Sequence, residues 1–216
     1  MRGSTANSYR SFAAQLTRYT ATRVMTDLRS AASYTPGGPV VLAPPDPTWA
    51  DEFAREARAI RAALPDLPIT VHHIGSTAVD GLIAKPVIDI LLVVPHLAAL
   101  DARGDSLVTL GYEPRGEFGV PGRRYFHKTS PLGVRTHQIH SYAEGSDAIH
   151  RHLDFRDYLR AHSAAVEAYA RLKTQLADRF GADVEGYANA KTAFVLGMER
   201  EGALWRLQIQ DREAQR

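Results

Sequence analysis

Residues 73–94 read HIGSTAVDGLIAKPVIDILLVV, and from Val87 to Val94 only Asp89 is polar. Burying an unpaired carboxylate inside an apolar strand costs several kcal/mol. Asp89 therefore either pairs with a cation or metal, or stands at a strand end facing a cleft. Gly75-Ser76 precedes it. A strand that ends in Gly-Ser and runs into a short helical turn offers backbone N–H groups and a hydroxyl to an anion. Such turns are common, and this one gains weight from the aspartate on the following strand. Lys85 lies between them, with Pro86 holding the chain extended on its way into that strand.

Other residues could join this chemistry. His73 alternates with Ile69 and Val71 just ahead of Gly75. His137 and His140, from THQIH, are three apart and fall on opposite faces of a regular strand. A divalent ion could be held by Asp89 with His73 and one of His137 or His140, and Glu117 is a further candidate ligand. Arg123, Arg124 and Tyr125 follow a Pro-Gly turn, where two guanidiniums suit phosphate or carboxylate. Lys191 shares a helix face with Tyr187, Val195 and Met198. It either snorkels or reaches into a cleft to bind phosphate. Arg156 reads as an ion pair with Asp154 or Asp157, or as an anion contact.

Elements must position these groups. The chain has 216 residues, 44% of them hydrophobic, which suits one domain with a terminal extension. Residues 8–32 carry Phe12, Leu16, Tyr19, Val24 and Leu28 as a partial helical stripe, and TPGGP (35–39) ends it. The expected division is a helical arm and linker over 1–39, a domain over 40–202 and a tail over 203–216. Strands are expected at 40–42, 69–74, 87–94, 112–118, 124–128 and 134–142. Helices are expected at 49–64 with Thr48 as cap, and at 97–110, 147–162, 164–180 and 184–201. The 87–94 strand belongs at the centre of the sheet, because it is apolar on both faces. A strand-rich middle followed by a helical end gives an α+β, or mixed α/β, domain.

Composition excludes some functions. With no cysteine, disulfides, thiolate catalysis and cysteine-held metals are ruled out. No run of eighteen apolar residues marks a membrane span, and no signal-like leader opens the chain. The expectation is a cytoplasmic protein. Net charge is +2, too small to argue for nucleic acid. The arginines of the arm read first as a solvated amphipathic extension.

The motifs HIGSTAVxGLxAKPxIDIL, RGEFGxPGRRYF, THxxH and HLxFRDYLRAH, in this order, resemble the GrpB family, a branch of the nucleotidyltransferase superfamily. The resemblance covers about Val41 to Met198. It implies a mixed sheet flanked by helices, with Gly75-Ser76 opening a short helix that binds phosphates. It also implies Mg²⁺ held by Asp89, and a nucleotide-like or otherwise phosphorylated small molecule as substrate. The superfamily's second acid would fall at position 91, which is Leu91. Metal-assisted transfer is one reading. A non-catalytic nucleotide- or anion-binding module is the other.

Overall fold

Continuous apolarity over Val87–Val94 builds the centre of the molecule. The computed structural model describes residues 40–215, so the arm expected over 8–32 lies outside the described residues. Five strands form one mixed sheet: β1 (Thr70–Ile74), β2 (Ile88–Val94), β3 (Tyr112–Pro114), β4 (Arg124–Thr129) and β5 (Arg135–Ala143). Their order is β1-β2-β5-β4-β3. Only β2 and β5 run parallel; the other pairs are antiparallel. β2 is internal and buried on both faces, as its continuous apolarity requires. The middle place belongs to β5, because β2 has only β1 beyond it.

Helices cover both faces, as expected of a mixed α/β fold. On one face lie α1 (Thr48–Ala63), α2 (Leu97–Asp101) and α3 (Gly104–Thr109). There Trp49, Ile60 and Leu64 pack on Ile88, Ile90, Leu92 and Ile139. On the other face lie α4 (Asp147–Ala161), α5 (Ser163–Phe180), α6 (Val184–Ala190) and α7 (Thr192–Ala214). There Ile74, Leu91, Val93 and Tyr142 meet Ile149 and Leu153 of α4.

Several expected boundaries change. Residues 40–42 form no strand; Ala43 makes an isolated bridge to Ala84. Thr48 does not cap α1. Its N–H and hydroxyl both donate to Asp46 Oδ1, at 2.8 and 2.7 Å, so the Asp46 carboxylate closes the turn. The helix expected over 97–110 breaks at Ala102 and Arg103, and Gly104 opens the second piece. The strand expected over 112–118 stops at Pro114, where proline removes a ladder donor. The last expected helix divides at Lys191, and its second part runs past 202 to Ala214. Residues 203–214 are thus helix rather than a separate tail. Arg206 meets Asp154 of α4 at 2.7 Å.

Candidate functional site

β1 ends beside Asp89, since Ile74 and Asp89 are register partners. The chain then turns through Gly75 at φ 72° and ψ −170°, a region open essentially to glycine alone. Space makes the same demand. A Cβ on residue 75 would lie 2.4 Å from Asp89 Oδ2. Ser76 to Ala78 form a single 3₁₀ turn. Thr77 staples that turn to β2 by donating its hydroxyl to the Val87 carbonyl at 3.1 Å.

His73 supports the turn from behind. Thr77 has given its only proton to Val87, so His73 Nε2 must donate to Thr77 Oγ1, at 3.0 Å. The imidazole stacks on Phe53 with centroids 4.7 Å apart. Burial lowers its pKa to about 4 against the opposing pull of Asp89, which keeps the ring neutral. His73 pairs with Ile90, so it lies on the α1 face of the sheet, opposite Asp89. That face keeps its side chain behind the turn.

Lysines surround the front. Lys173 of α5, only 2% exposed, donates to Ser76 Oγ at 3.1 Å and to the Ile83 carbonyl. Its ammonium sits 4.5 Å from the centre of the Tyr169 ring, and the Tyr169 phenol also reaches Ser76. Lys85 and Lys191 flank the buried Tyr187 ring at 5.2 and 4.4 Å. Burial lowers Lys173 to about 6 with Lys191 adding to it, and Lys191 to about 7 with Lys85 adding to it. Burial lowers Lys85 to about 8, with Asp89 opposing and Arg135 adding. Three desolvated lysines that repel one another beside a Gly-Ser turn would each be favoured in the charged form by a nearby anion.

The remaining candidates divide between the faces. His140 joins Asp89, its Nε2 3.9 Å from Oδ1. Its Nδ1 lies 3.4 Å from Arg123 Nη1. Arginine only donates, so Nε2 carries the proton that faces Asp89. Arg123 is fully buried and also donates to the Phe118 and Glu117 carbonyls, at 2.9 and 3.3 Å, anchoring the 115–122 loop. Tyr125 lies on the Asp89 face; its phenol donates to Gln138 Oε1 at 2.7 Å and accepts from Arg135 Nη1 at 3.2 Å.

Arg124 points away and forks onto Asp101 at 2.6 and 2.7 Å, holding that carboxyl below its usual range. Glu117 Oε1 accepts from the Gly122 N–H at 2.7 Å and so closes its own loop. His137 is on the α1 face, 3.6 Å from Glu52 and 3.9 Å from Glu56. Arg156 donates to the His73 carbonyl at 3.0 Å and pairs with Asp157. The structure thus gathers Gly75, Ser76, Lys85, Asp89, Tyr125, His140 and Lys191, and adds Lys173, Tyr169, Gln138 and Arg135. It does not bring His73, Glu117, Arg124 or His137 to that group.

Among the described residues, no group of three or more His, Cys, Asp or Glu is placed to hold an ion. Leu91, on the Asp89 face, is fully buried among Ile74, Val93 and Tyr142, so position 91 cannot supply a second acid. Magnesium commonly uses one or two carboxylates and completes its shell with substrate phosphates and water. Asp89 fits that role for one ion. The two-carboxylate set for a pair of ions does not fit.

A glycine-serine turn against a strand aspartate, on a mixed sheet covered on both faces, defines a small mixed α/β domain. The chain belongs to the GrpB protein family, whose model matches residues 39–201. It is 39% identical over 158 residues to UPF0157 protein YqkA of Bacillus subtilis, covering 73% of this chain and 46% of that protein. It is 40% identical over 158 residues to UPF0157 protein PA4798 of Pseudomonas aeruginosa, covering 72% and 64%. The chain thus spans less than two thirds of the length of these two relatives. The crystal structure of conserved protein GrpB from Enterococcus faecalis superposes with a TM-score of 0.69 at 38% identity, covering 75% of this chain and 96% of that one. No helix among the described residues is long and apolar enough to cross a membrane.

Proposed function

We propose that this domain binds a nucleotide or similar phosphorylated small molecule and transfers its activated group to an acceptor. The observation that carries the reading is the contact of Lys173 Nζ with Ser76 Oγ at 3.1 Å, next to a glycine whose bare backbone abuts Asp89. The terminal phosphates lie on the 75–78 turn, neutralised by Lys173, Lys191 and Lys85. The two Asp89 oxygens have different neighbours. Oδ2 lies against Gly75 and the cradle, while Oδ1 looks toward His140.

An acceptor oxygen attacks the phosphorus nearest Asp89 and gives its proton to Oδ1. The bond to the leaving phosphate breaks, and its electron pair departs onto the oxygen that the lysines neutralise. Lowered lysine pKa values suit this, since each ammonium can hold a proton more firmly as negative charge grows beside it. Asp89 would hold a magnesium ion, which would supply Lewis-acid polarisation of the phosphoryl group. The setting is the cytoplasm.

Leu91 favours a second reading, a binding module without transfer. Melting the full chain with ATP, GTP, CTP and UTP, with and without Mg²⁺, separates the two. A ligand at about 100 times its Kd stabilises by about 2.7 kcal/mol. The transferase requires stabilisation that depends on Mg²⁺ and is lost in both Lys173→Gln and Asp89→Asn. The module requires stabilisation without Mg²⁺ that is lost in Lys173→Gln alone. No stabilisation by any of the four sinks the nucleotide reading.

A further inference from the structure

α4 ends at Ala161 and α5 begins at Ser163, with only His162 between them. The loop that follows the Gly-Ser turn lies against this junction. A cavity of about 540 Å³ opens there, a volume that suits a small-molecule site. Asp80 lines it from the loop, Leu159 and Arg160 from α4, and Ser163, Val166 and Glu167 from α5. The three α5 residues are spaced i, i+3 and i+4, so they share one helix face. The floor is apolar. Leu159 is fully buried, and it shares a cluster with Val79, Leu82 and Val166.

The charges in this cavity are held but not matched. Arg160 Nε donates to the Ala78 carbonyl at 2.8 Å, which fixes one edge of the guanidinium. Its Nη groups make no hydrogen bond among the described residues. Asp157 stands 4.0 Å from Nη1, but that carboxylate is already forked onto Arg156 at 2.7 and 3.0 Å. Burial lowers the Arg160 pKa and Arg156 adds to this, while Asp157 and Asp80 oppose it. Asp80 therefore acts on the guanidinium, yet the two form no ion pair among the described residues. Glu167 meets Arg171 at 3.7 Å with both side chains largely exposed, a geometry that contributes little.

A simple anion here would satisfy Arg160 and be repelled by Asp80 and Glu167. A simple cation would do the reverse. A molecule that carries both charges satisfies both sides, and its apolar part covers Leu159 and Val166. We propose that this cavity binds a zwitterion of the amino-acid or dipeptide class with an apolar side chain. The carboxylate takes the open Nη edge of Arg160, where a guanidinium can make two parallel hydrogen bonds. The ammonium lies at Asp80 and Glu167. This site is separate from the phosphate cradle and does not depend on the transfer reading. One hydrogen bond links the two, because Ala78 closes the Ser76–Ala78 turn.

The probes are L-methionine and the dipeptide Met-Met, titrated by calorimetry into the full chain. Two singly charged analogues accompany them: the amine left when methionine loses its carboxylate, and the acid left when it loses its amine. A crystal soak in the selenium form of whichever zwitterion binds, read in anomalous maps, locates it. At least one zwitterion should bind, with selenium in the cavity, and each analogue should bind about 10-fold more weakly or worse. Asp80→Asn and Arg160→Gln should each weaken the zwitterion by a similar factor. If Arg160→Gln does not fold, Arg160→Lys keeps the charge but loses the planar fork, and it should weaken binding too. Binding of neither zwitterion overturns the site, and so does selenium placed elsewhere. An analogue that binds as tightly as its zwitterion overturns the two-charge assignment. Full affinity in the Asp80 variant or in the folded Arg160 variant does the same.

Discussion

The Asp89 carboxylate occupies the space that a side chain at Gly75 would need, with Oδ2 2.4 Å from the position of a Cβ. Glycine at 75 and aspartate at 89 are therefore one requirement. In the proposed function this close approach lets the turn's amides and the carboxylate address one ligand. Gly75→Ala meets both the clash and the φ of 72°. It should destabilise the fold by about 1–3 kcal/mol, and it should weaken nucleotide binding in the fraction that remains folded. Denaturant melts alongside ligand titration check this; unchanged binding would show that Asp89 and the turn act separately.

Asp89→Asn should leave the fold intact. The carboxylate is partly exposed, and its nearest ionisable partner is His140 at 3.9 Å. Removing its charge also removes a pull that holds up the pKa values of Lys85 and Lys191. The expected outcome is a melting temperature within a few degrees of wild type, together with loss of any Mg²⁺-dependent binding. A cooperative loss of about 3–5 kcal/mol would instead mark Asp89 as half of a structural pair.

Anion binding should depend on pH through the lysines. Lys173, Lys191 and Lys85 titrate near 6, 7 and 8 in the free protein. A bound phosphate favours their charged forms, so binding takes up protons. Affinity should be highest at about pH 6–7, where the lysines are largely charged and the phosphate keeps its second charge, and fall as pH rises through 9. Stability of the free protein should move the other way, rising with pH over the same window. The unfolded chain holds those protons up to about pH 10.4, so it binds more of them than the native state does. Calorimetry in buffers of different ionisation enthalpy reads the uptake directly, and zero uptake at pH 7.5 would contradict the buried cluster.

Truncation after residue 202 should destabilise the domain. It removes Arg206 from Asp154, which is 5% exposed and whose pKa burial already raises against the pull of Arg206. Leaving that buried carboxylate without its cation costs about 3–5 kcal/mol. Asp154→Leu in the truncated chain should recover part of the loss. An unchanged melting point on truncation would show that the α4–α7 contact carries little.

The centre of the fold was legible in the residues. Continuous apolarity placed Val87 to Val94 inside a covered sheet, and the Gly-Ser turn and Asp89, singled out together in the sequence, lie in contact. Alternation states which residues share a face, but not which face meets which helix. His73 was grouped with Asp89 from its distance along the chain, and the register sets it on the other side. His137 and His140 were correctly split between faces, yet the choice between them needed β2 beside β5. Lys173 does carry a signal in the sequence. It stands four residues after Tyr169 and three before Leu176, inside the apolar stripe of α5, where a solvated lysine has no reason to be. Arg135 carried none, because it reaches the site through a shift in β4–β5 pairing that spacing does not encode.

Ser76 and Asp89 belong to the sheet, whereas Lys173 and Lys191 arrive on the helical layer. A polyphosphate held by all of them would strengthen a junction between the two layers that already includes the Lys173–Ser76 and Arg156–His73 hydrogen bonds. Its binding energy is then shared by both, and the domain gains cooperativity as well as stability. Amide hydrogen exchange should show this as matched protection. α5 and β2 should open with separate free energies in the free protein and with a single one when the ligand is bound.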